Sequence, residues 1–218
     1  MRRLKQLRTF EVTLAKAGLG PVAGIDEAGR GACFGPITIA ACILPVRIIP
    51  ELEGLTDSKK LSAVRREKLF EVIVDKCLAH SVVHIDAATI DARGIQNANL
   101  DGARLAVARL RLRPEYVLVD ALRVPGLTQP HLPVIGGDYS ARCIAAASVL
   151  AKVSRDRLVG KLAQDYPEYG LDRHKGYGTK AHMDAVRRHG ATPLHRYTYS
   201  NVAAADAMYQ EGVRADER

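Results

Sequence analysis

Two short apolar runs in this chain each stop at acid. Val22-Ala23-Gly24-Ile25 leads into Asp26-Glu27, and Tyr116-Val117-Leu118-Val119 leads into Asp120. Brief apolar runs of this kind mark buried strands, whereas helices need longer periodic segments. Strands without polar alternation are covered on both faces, which places them inside a sheet flanked by helices. The chain is therefore constrained to a layered α/β fold with charge at its strand ends.

The rest of the chain supplies the other elements. Residues 2–17 read as a basic amphipathic helix stopped by Gly18 and Gly20. Residues 37–44 form a second strand, residues 81–86 a third, and residues 133–135 another short one. Ser62 caps a helix through about Ala79, and residues 95–112 are helical up to Pro114. A long helix covers residues 141–163, and further helical segments follow a glycine-rich loop at 175–179. Residues 206–218 are polar and expected to fray. Strands come mainly early and helices mainly late, which predicts a mixed central sheet with a helical C-terminal extension.

Composition narrows the class. Hydrophobic residues make up 47% of the 218 and charged residues 26%, which excludes a disordered or collagenous chain. The formal net charge of +8 favours a polyanionic partner, although many soluble proteins are basic without one. The longest apolar run, residues 36–46, is too short to span a bilayer, and no apolar signal segment follows the basic start. Cys33, Cys42, Cys77 and Cys143 are scattered and form no Cys-x-x-Cys pair. They suggest neither a zinc site nor a disulfide framework and fit a reducing compartment, so the expected location is the cytoplasm. Cys33 reads as a small packing residue.

The strand-end acids carry the chemistry. Asp138 follows Gly136-Gly137 and joins Asp26, Glu27 and Asp120 as a candidate. In α/β folds, ligand sites gather beyond strand ends, so these acids can converge. Converged carboxylates repel unless cations neutralise them, and such oxygen clusters suit Mg²⁺ or Mn²⁺. Two such ions can activate water and stabilise a leaving oxygen in phosphodiester hydrolysis. A single strand-end acid is more often a turn former; four together weigh against that. Neighbouring strand residues point to opposite faces. Either the backbone turns at Asp26-Glu27, or Glu27 acts through its carbonyl or from behind the ligands. Gly29-Arg30-Gly31, continuing to Gly35-Pro36, offers bare backbone for close approach to a ligand such as a ribose 2′-hydroxyl. A tight loop between strands is the plain alternative. A strand follows these glycines, so they are no dinucleotide fingerprint.

The chain resembles the type II ribonuclease H family. The resemblance rests on residues 24–31 (Gly-Ile-Asp-Glu-Ala-Gly-Arg-Gly) with Gly35-Pro36, Asp57-Ser-Lys-Lys-Leu61, Gly94-Ile95 with Ala98-Asn99, and Val119-Asp120. It continues through Gly137-Asp138, residues 145–153 with Arg155-Asp156, and His174-Lys-Gly-Tyr-Gly-Thr179, covering about residues 20 to 200. It implies a ribonuclease H-like fold in one catalytic domain over residues 1–200, with residues 201–218 as a partly helical or frayed tail. It also implies a site of four carboxylates, Asp26, Glu27, Asp120 and Asp138, holding two ions, Mg²⁺ or Mn²⁺. The implied activity is cleavage of RNA in RNA–DNA hybrids and 5′ to ribonucleotides embedded in DNA, leaving 5′-phosphate and 3′-hydroxyl ends. Gly29, Arg30 and Gly31 would contact the ribonucleotide, and Tyr177 would stack on the sugar at the junction.

Two positions depart from the family pattern: Gly137 stands where Lys is frequent, and Gly178 where Pro is frequent. Asp156 lies four residues after Lys152 and eight after Ser148 on one helical stripe, and these three read as structural or supporting residues rather than metal ligands. Lys59, Lys60, Arg142, Lys152, Lys175 and Lys180 are candidate phosphate contacts, Lys59 and Lys175 foremost. His174, His182, His189 and His195 lack a metal-ligand spacing, although His174 can orient the Tyr177 loop. Two rival readings are a non-catalytic basic duplex-binding protein and a type III ribonuclease H-like nuclease. The first leaves the acids unexplained, because carboxylates beside phosphate repel it. The second is expected to carry an added N-terminal domain, for which there is no room before Asp26. A monomer is expected, since no heptads appear.

Overall fold

A computed structural model describes residues 6–216 of the protein. In chain order the elements are α1 (Thr9–Lys16), β1 (Val22–Ala28), β2 (Ile37–Ile43), α2 (Ala63–Lys76), β3 (Ala79–Ile85), α3 (Ala87–Arg93) and α4 (Ile95–Ala108). Then follow β4 (Tyr116–Asp120), β5 (His131–Val134), α5 (Gly137–Ser140), α6 (Arg142–Asp165), α7 (Leu171–His174), α8 (Lys180–His189) and α9 (Ser200–Asp216). The described residues fall into two compact units. The first takes those up to Ala28, with Thr38–Val83 and Leu100–Ser154; the second takes Gly29–Ile37, His84–Asn99 and those from Arg155 onward.

The first unit holds a five-stranded sheet in the order β3-β2-β1-β4-β5. β1 pairs antiparallel with β2 and parallel with β4, and β4 pairs parallel with β5. The sheet is mixed, as expected. β2 is buried at every position, which fits an interior strand with apolar cover on both faces. One core cluster joins Ala40 and Cys42 of β2 to Leu69 and Ile73 of α2 and Ala146, Val149 and Leu150 of α6. A second joins Phe10 and Leu14 of α1 to Leu118 of β4, Val134 of β5 and Ile144 of α6.

Helix and sheet backbones come very close at Gly24. A Cβ there would sit 2.2 Å from the Cys143 carbonyl carbon and 2.3 Å from the Ile144 nitrogen. Only glycine admits backbone at that distance, so Gly24 seats the start of α6 on β1.

The second unit is built around Phe34, Val159, Tyr169, Leu171, Val186 and Val202. Segment 32–36 runs between two others. Cys33 N–H donates to Gly176 O at 2.8 Å, Gly35 N–H to Leu194 O at 2.8 Å, and Arg196 N–H to Cys33 O at 2.8 Å. Cys33 is buried in this core, as its reading as a packing residue required.

Several boundaries differ from the sequence reading. α1 starts at Thr9 because Gln6 and Leu7 both have φ of 54°, outside the helical region. Residues 2–5 of the expected helix lie outside the described residues. Its Glu11 is buried and accepts from Cys143 N–H at 2.7 Å, so the helix is more than a basic surface element. α2 stops at Lys76, short of the expected Ala79, and α4 stops at Ala108. Residues 206–216 do not fray: they continue α9, which is anchored through buried Val202 and Ala205.

Candidate active site

Asp26 is placed by strand geometry. Side chains two apart on a strand share a face, so Asp26 lies on the face where Gly24 meets α6. Two strand residues advance about 6.7 Å, and one helical turn from Ile144 to Ser148 advances about 6 Å. Asp26 thus arrives at Ser148, whose hydrogen bond favours the charged carboxylate. Ser148 Oγ also lies 2.9 Å from Ser58 Oγ, and both serines are buried. Burial nevertheless pushes Asp26 well above the usual carboxylate range, and the charges of Glu27 and Asp120 push the same way.

Asp120 ends β4, the parallel neighbour of β1. The register pairs Ile25 with Val119, so Asp26 and Asp120 follow at the same level on adjacent strands. Asp120 Oδ1 accepts from Gly137 N–H at 2.9 Å. Gly136, in the left-handed region with φ 63°, turns the chain after β5 into the short α5 that carries Asp138. Asp138 is buried, and its carboxyl is pushed up to about 6, first by burial and then by Asp120 and Asp57.

These three acids converge: each of Asp26, Asp120 and Asp138 offers an oxygen within 4.8 Å of the others. The set fits a hard divalent cation. Oxygen ligands of such an ion lie a few ångströms apart, so Asp26, Asp120 and Asp138 are the residues that would hold it. Glu27 lies outside this three-acid group. β1 runs on through Ala28 with Asp26 opposite Ala40 and Glu27 opposite Ile39, so the backbone does not turn between the two acids. Asp156 is half-buried on α6 in the second unit and is also outside the group; Lys152 is half-buried on α6 in the first unit.

Asp57 is a contributor that sequence reasoning left in a weak motif. Its Oδ1 accepts from Lys59 N–H at 2.9 Å, capping the turn at Ser58–Lys60, and its Oδ2 accepts from Tyr139 O–H at 2.9 Å. It hydrogen-bonds Asp138 as well, while the charge of Lys59 favours ionised Asp138. Lys60 Nζ sits 4.3 Å from the Tyr139 ring centroid. In sequence Asp57 only opens the matched segment 57–61, because its distance from Asp138 along the chain hides their contact.

Arg142 is corrected. The sequence groups it with the phosphate contacts, but it is 1% exposed and donates to Pro45 O, Arg47 O and Gln6 Oε1. It secures main chain inside the first unit and is closed to phosphate.

At Gly137 and Gly178, where the chain departs from the family pattern, side chains crowd the space a Cβ would take. A Cβ at Gly137 would come within 2.5 Å of Ile144 Cδ1 and 3.3 Å of Asp120 Oδ1. A Cβ at Gly178 would meet Asn201 Nδ2 at 2.5 Å and Cys33 Sγ at 2.9 Å, where Asn201 donates to Cys33.

The second unit carries the other predicted residues. Gly29 is buried with φ +86°, while Arg30 and Gly31 are exposed; Arg30 Nη2 donates to Gln96 Oε1 at 2.7 Å. Ala32 bridges antiparallel to Tyr177, which brings the glycine loop beside the Tyr177 loop. Lys175 sits in the left-handed region with φ 50°. His174 does brace this loop: its Nδ1 accepts from Gly176 N–H at 3.3 Å. Two histidines that the sequence reading set aside only as metal ligands brace it further. His195 Nδ1 accepts from Thr192 N–H at 3.0 Å, so its Nε2–H faces His182 Nε2 at 3.1 Å. His182 is left with its proton on Nδ1, which donates to Tyr177 O at 3.0 Å. Burial pushes His182 down to about 4 and His195 to about 3, so both are neutral near pH 7.

Known proteins resemble this chain in sequence and in fold. The model of the family described as Ribonuclease HII matches residues 23–202. A protein named Ribonuclease HII from Corynebacterium diphtheriae is 65% identical over 212 residues, covering 97% of this chain and 93% of the relative. The crystal structure of ribonuclease H2 from Pyrococcus horikoshii OT3 superposes with a TM-score of 0.75 at 28% identity, covering 87% of this chain and 99% of that one. Bst-RNase HIII in complex with Mn²⁺ shares the fold at a TM-score of 0.67 and 19% identity, over 91% of this chain and 73% of that one. With its sheet, acids and matched length, the chain belongs to the Ribonuclease HII family and is a hydrolase of the ribonuclease H endonuclease type.

Proposed function

We propose that this protein cuts the RNA strand of RNA–DNA hybrids and cuts 5′ to ribonucleotides embedded in duplex DNA, leaving 5′-phosphate and 3′-hydroxyl ends. The observation that carries the reading is the convergence of Asp26, Asp120 and Asp138, with ligand oxygens within 4.8 Å of one another. Two divalent ions, Mg²⁺ or Mn²⁺, would supply an activated water and stabilise the leaving oxygen. Asp26, Asp120 and Asp138 hold them, with Glu27 as the fourth carboxylate, contributing through its carbonyl or from behind the ligands. Ser148 orients Asp26, and Lys152 and Asp156 support the helix that presents it.

Gly29, Arg30, Gly31 and Tyr177 recognise the ribonucleotide. Exposed glycine backbone suits contact with a 2′-hydroxyl, which distinguishes RNA from DNA. Lys59 and Lys175 contact phosphate, in keeping with the net charge of +8. The protein acts as a monomer in the cytoplasm, where its four buried cysteines stay as thiols.

A DNA duplex with one internal ribonucleotide tests this. Incubation with Mg²⁺ or Mn²⁺ produces a nick 5′ to the ribonucleotide, and chelator abolishes it. Binding to the duplex without metal-dependent nicking would make the protein a binder and overturn the reading.

A further inference from the structure

We infer that Arg155 is a positioning residue for ribonucleotide recognition, its buried guanidinium fixing from behind both the Gly29–Gly31 loop and the Tyr177 loop. The inference rests on the function proposed above. Arg155 is 0% exposed. Its Nε donates to Pro36 O at 3.0 Å, its Nη2 to Phe34 O at 3.0 Å, and its Nη1 to Lys175 O at 2.9 Å. Its Cζ lies 5.4 Å from the Tyr177 ring centroid. One side chain therefore ties the segment after the glycines to the residue two before Tyr177.

The glycines point the same way. A Cβ at Gly29 would lie 1.9 Å from Arg155 Nε and 2.4 Å from its Cδ. At Gly31 a Cβ would meet nothing within 4 Å. Gly29 is thus glycine because Arg155 packs against it, whereas no neighbour within the chain dictates Gly31. The inner side of the loop is set by Arg155, and the outer side is open.

Burying a guanidinium is costly, and an apolar side chain would fill the space at lower cost. The fork of fixed N–H directions gives what an apolar residue cannot: several carbonyls held at once in set positions. Arg196 repeats the arrangement on the same loop. It is 0% exposed and donates to Gly35 O from Nε and Nη2 at 3.1 and 3.0 Å, and to Arg30 O from Nη1 at 2.9 Å. Two buried cations holding carbonyls 30, 34, 35, 36 and 175 make a rigid frame for main-chain recognition, which demands placement within about 0.5 Å.

The test compares wild type, Arg155→Lys and Arg155→Met in the full chain with Mg²⁺. Leu69→Ala, a core substitution in the first unit, controls for lost stability. The readout is the ratio of kcat/KM on a duplex with one ribonucleotide to kcat/KM on a continuous RNA–DNA hybrid. Both Arg155 variants should lower the first by roughly 10- to 100-fold, the scale expected for a misplacement of about 1 Å. The second should fall far less, and Leu69→Ala should leave the ratio unchanged. Equal losses on both duplexes, or the same change of ratio in Leu69→Ala, would overturn the inference. If wild type nicks neither duplex, the proposed function fails instead, which is a separate outcome.

Should the variants not fold, hydrogen exchange at Arg155 Nε–H in the wild-type protein decides. With Ca²⁺ in place of Mg²⁺, a ribonucleotide-containing duplex should slow exchange more than an all-DNA duplex of the same sequence. Equal exchange with both would contradict the role.

Discussion

Burial and like charge act on the same oxygens of Asp26 and Asp138, and both raise the carboxyls above their ordinary range. For an acid, a raised pKa in the folded state means that folding binds protons. Stability is then greatest at low pH and falls as pH rises through the folded value. For Asp138 the window runs from the ordinary 3.8 to about 6. In chelator, Asp138→Asn should therefore match wild type in Tm near pH 4 and exceed it by pH 7; a constant difference across that range would contradict the shift. Asp120→Asn removes a proposed ligand while leaving the basic side chains in place. It should lower cleavage by at least about 1000-fold while changing duplex Kd less than about threefold, as measured by single-turnover nicking and anisotropy. Asp26, Asp120 and Asp138 were legible because each follows an apolar run or a glycine turn in the sequence. Asp57, His182 and His195 were not, because what places them is contact with residues far along the chain.

α6 and the strand it crosses show what patterning reveals and what it hides. β4 was read at its true ends, since Tyr116–Asp120 is a compact apolar run with no competing helical period. The end of α1 nearest the N-terminus was misread because left-handed residues at Gln6 and Leu7 leave no compositional trace. In α9 only the fraying expected from residue 206 onward was misread, because buried Val202 and Ala205 dock the helix ahead of that polar stretch. Gly24 was read as one residue in a strand, yet it sets how closely α6 approaches the sheet. Gly24→Ala would drive a Cβ into backbone at 2.2 Å, where neither a rotamer change nor a flexible neighbour relieves it. Its cost should be at least about 3 kcal/mol, the upper range for overpacking. Because α6 also supplies Ser148, metal affinity should fall with stability; urea unfolding and Mn²⁺ titration check both. A variant with wild-type stability would show that α6 is seated otherwise.

Across the whole molecule, the two units differ in chemistry. The first gathers acids at the ends of parallel strands, and the second frames a glycine loop with buried arginines and neutral histidines. The chain combines a net charge of +8 with a cluster of carboxylates, a combination that suits a polyanion bridged by cations. Among the described residues no helix is long and apolar enough to cross a membrane. The general fold was legible because strand and helix periods are local properties. The division into units was not, because each unit is assembled from three separated stretches of chain. Crystals grown with Mn²⁺ and measured at the manganese absorption edge test the account most directly. Anomalous density should lie within about 2.2 Å of carboxylate oxygens from Asp26, Asp120 and Asp138. Manganese bound elsewhere, with those three acids bare, would contradict it.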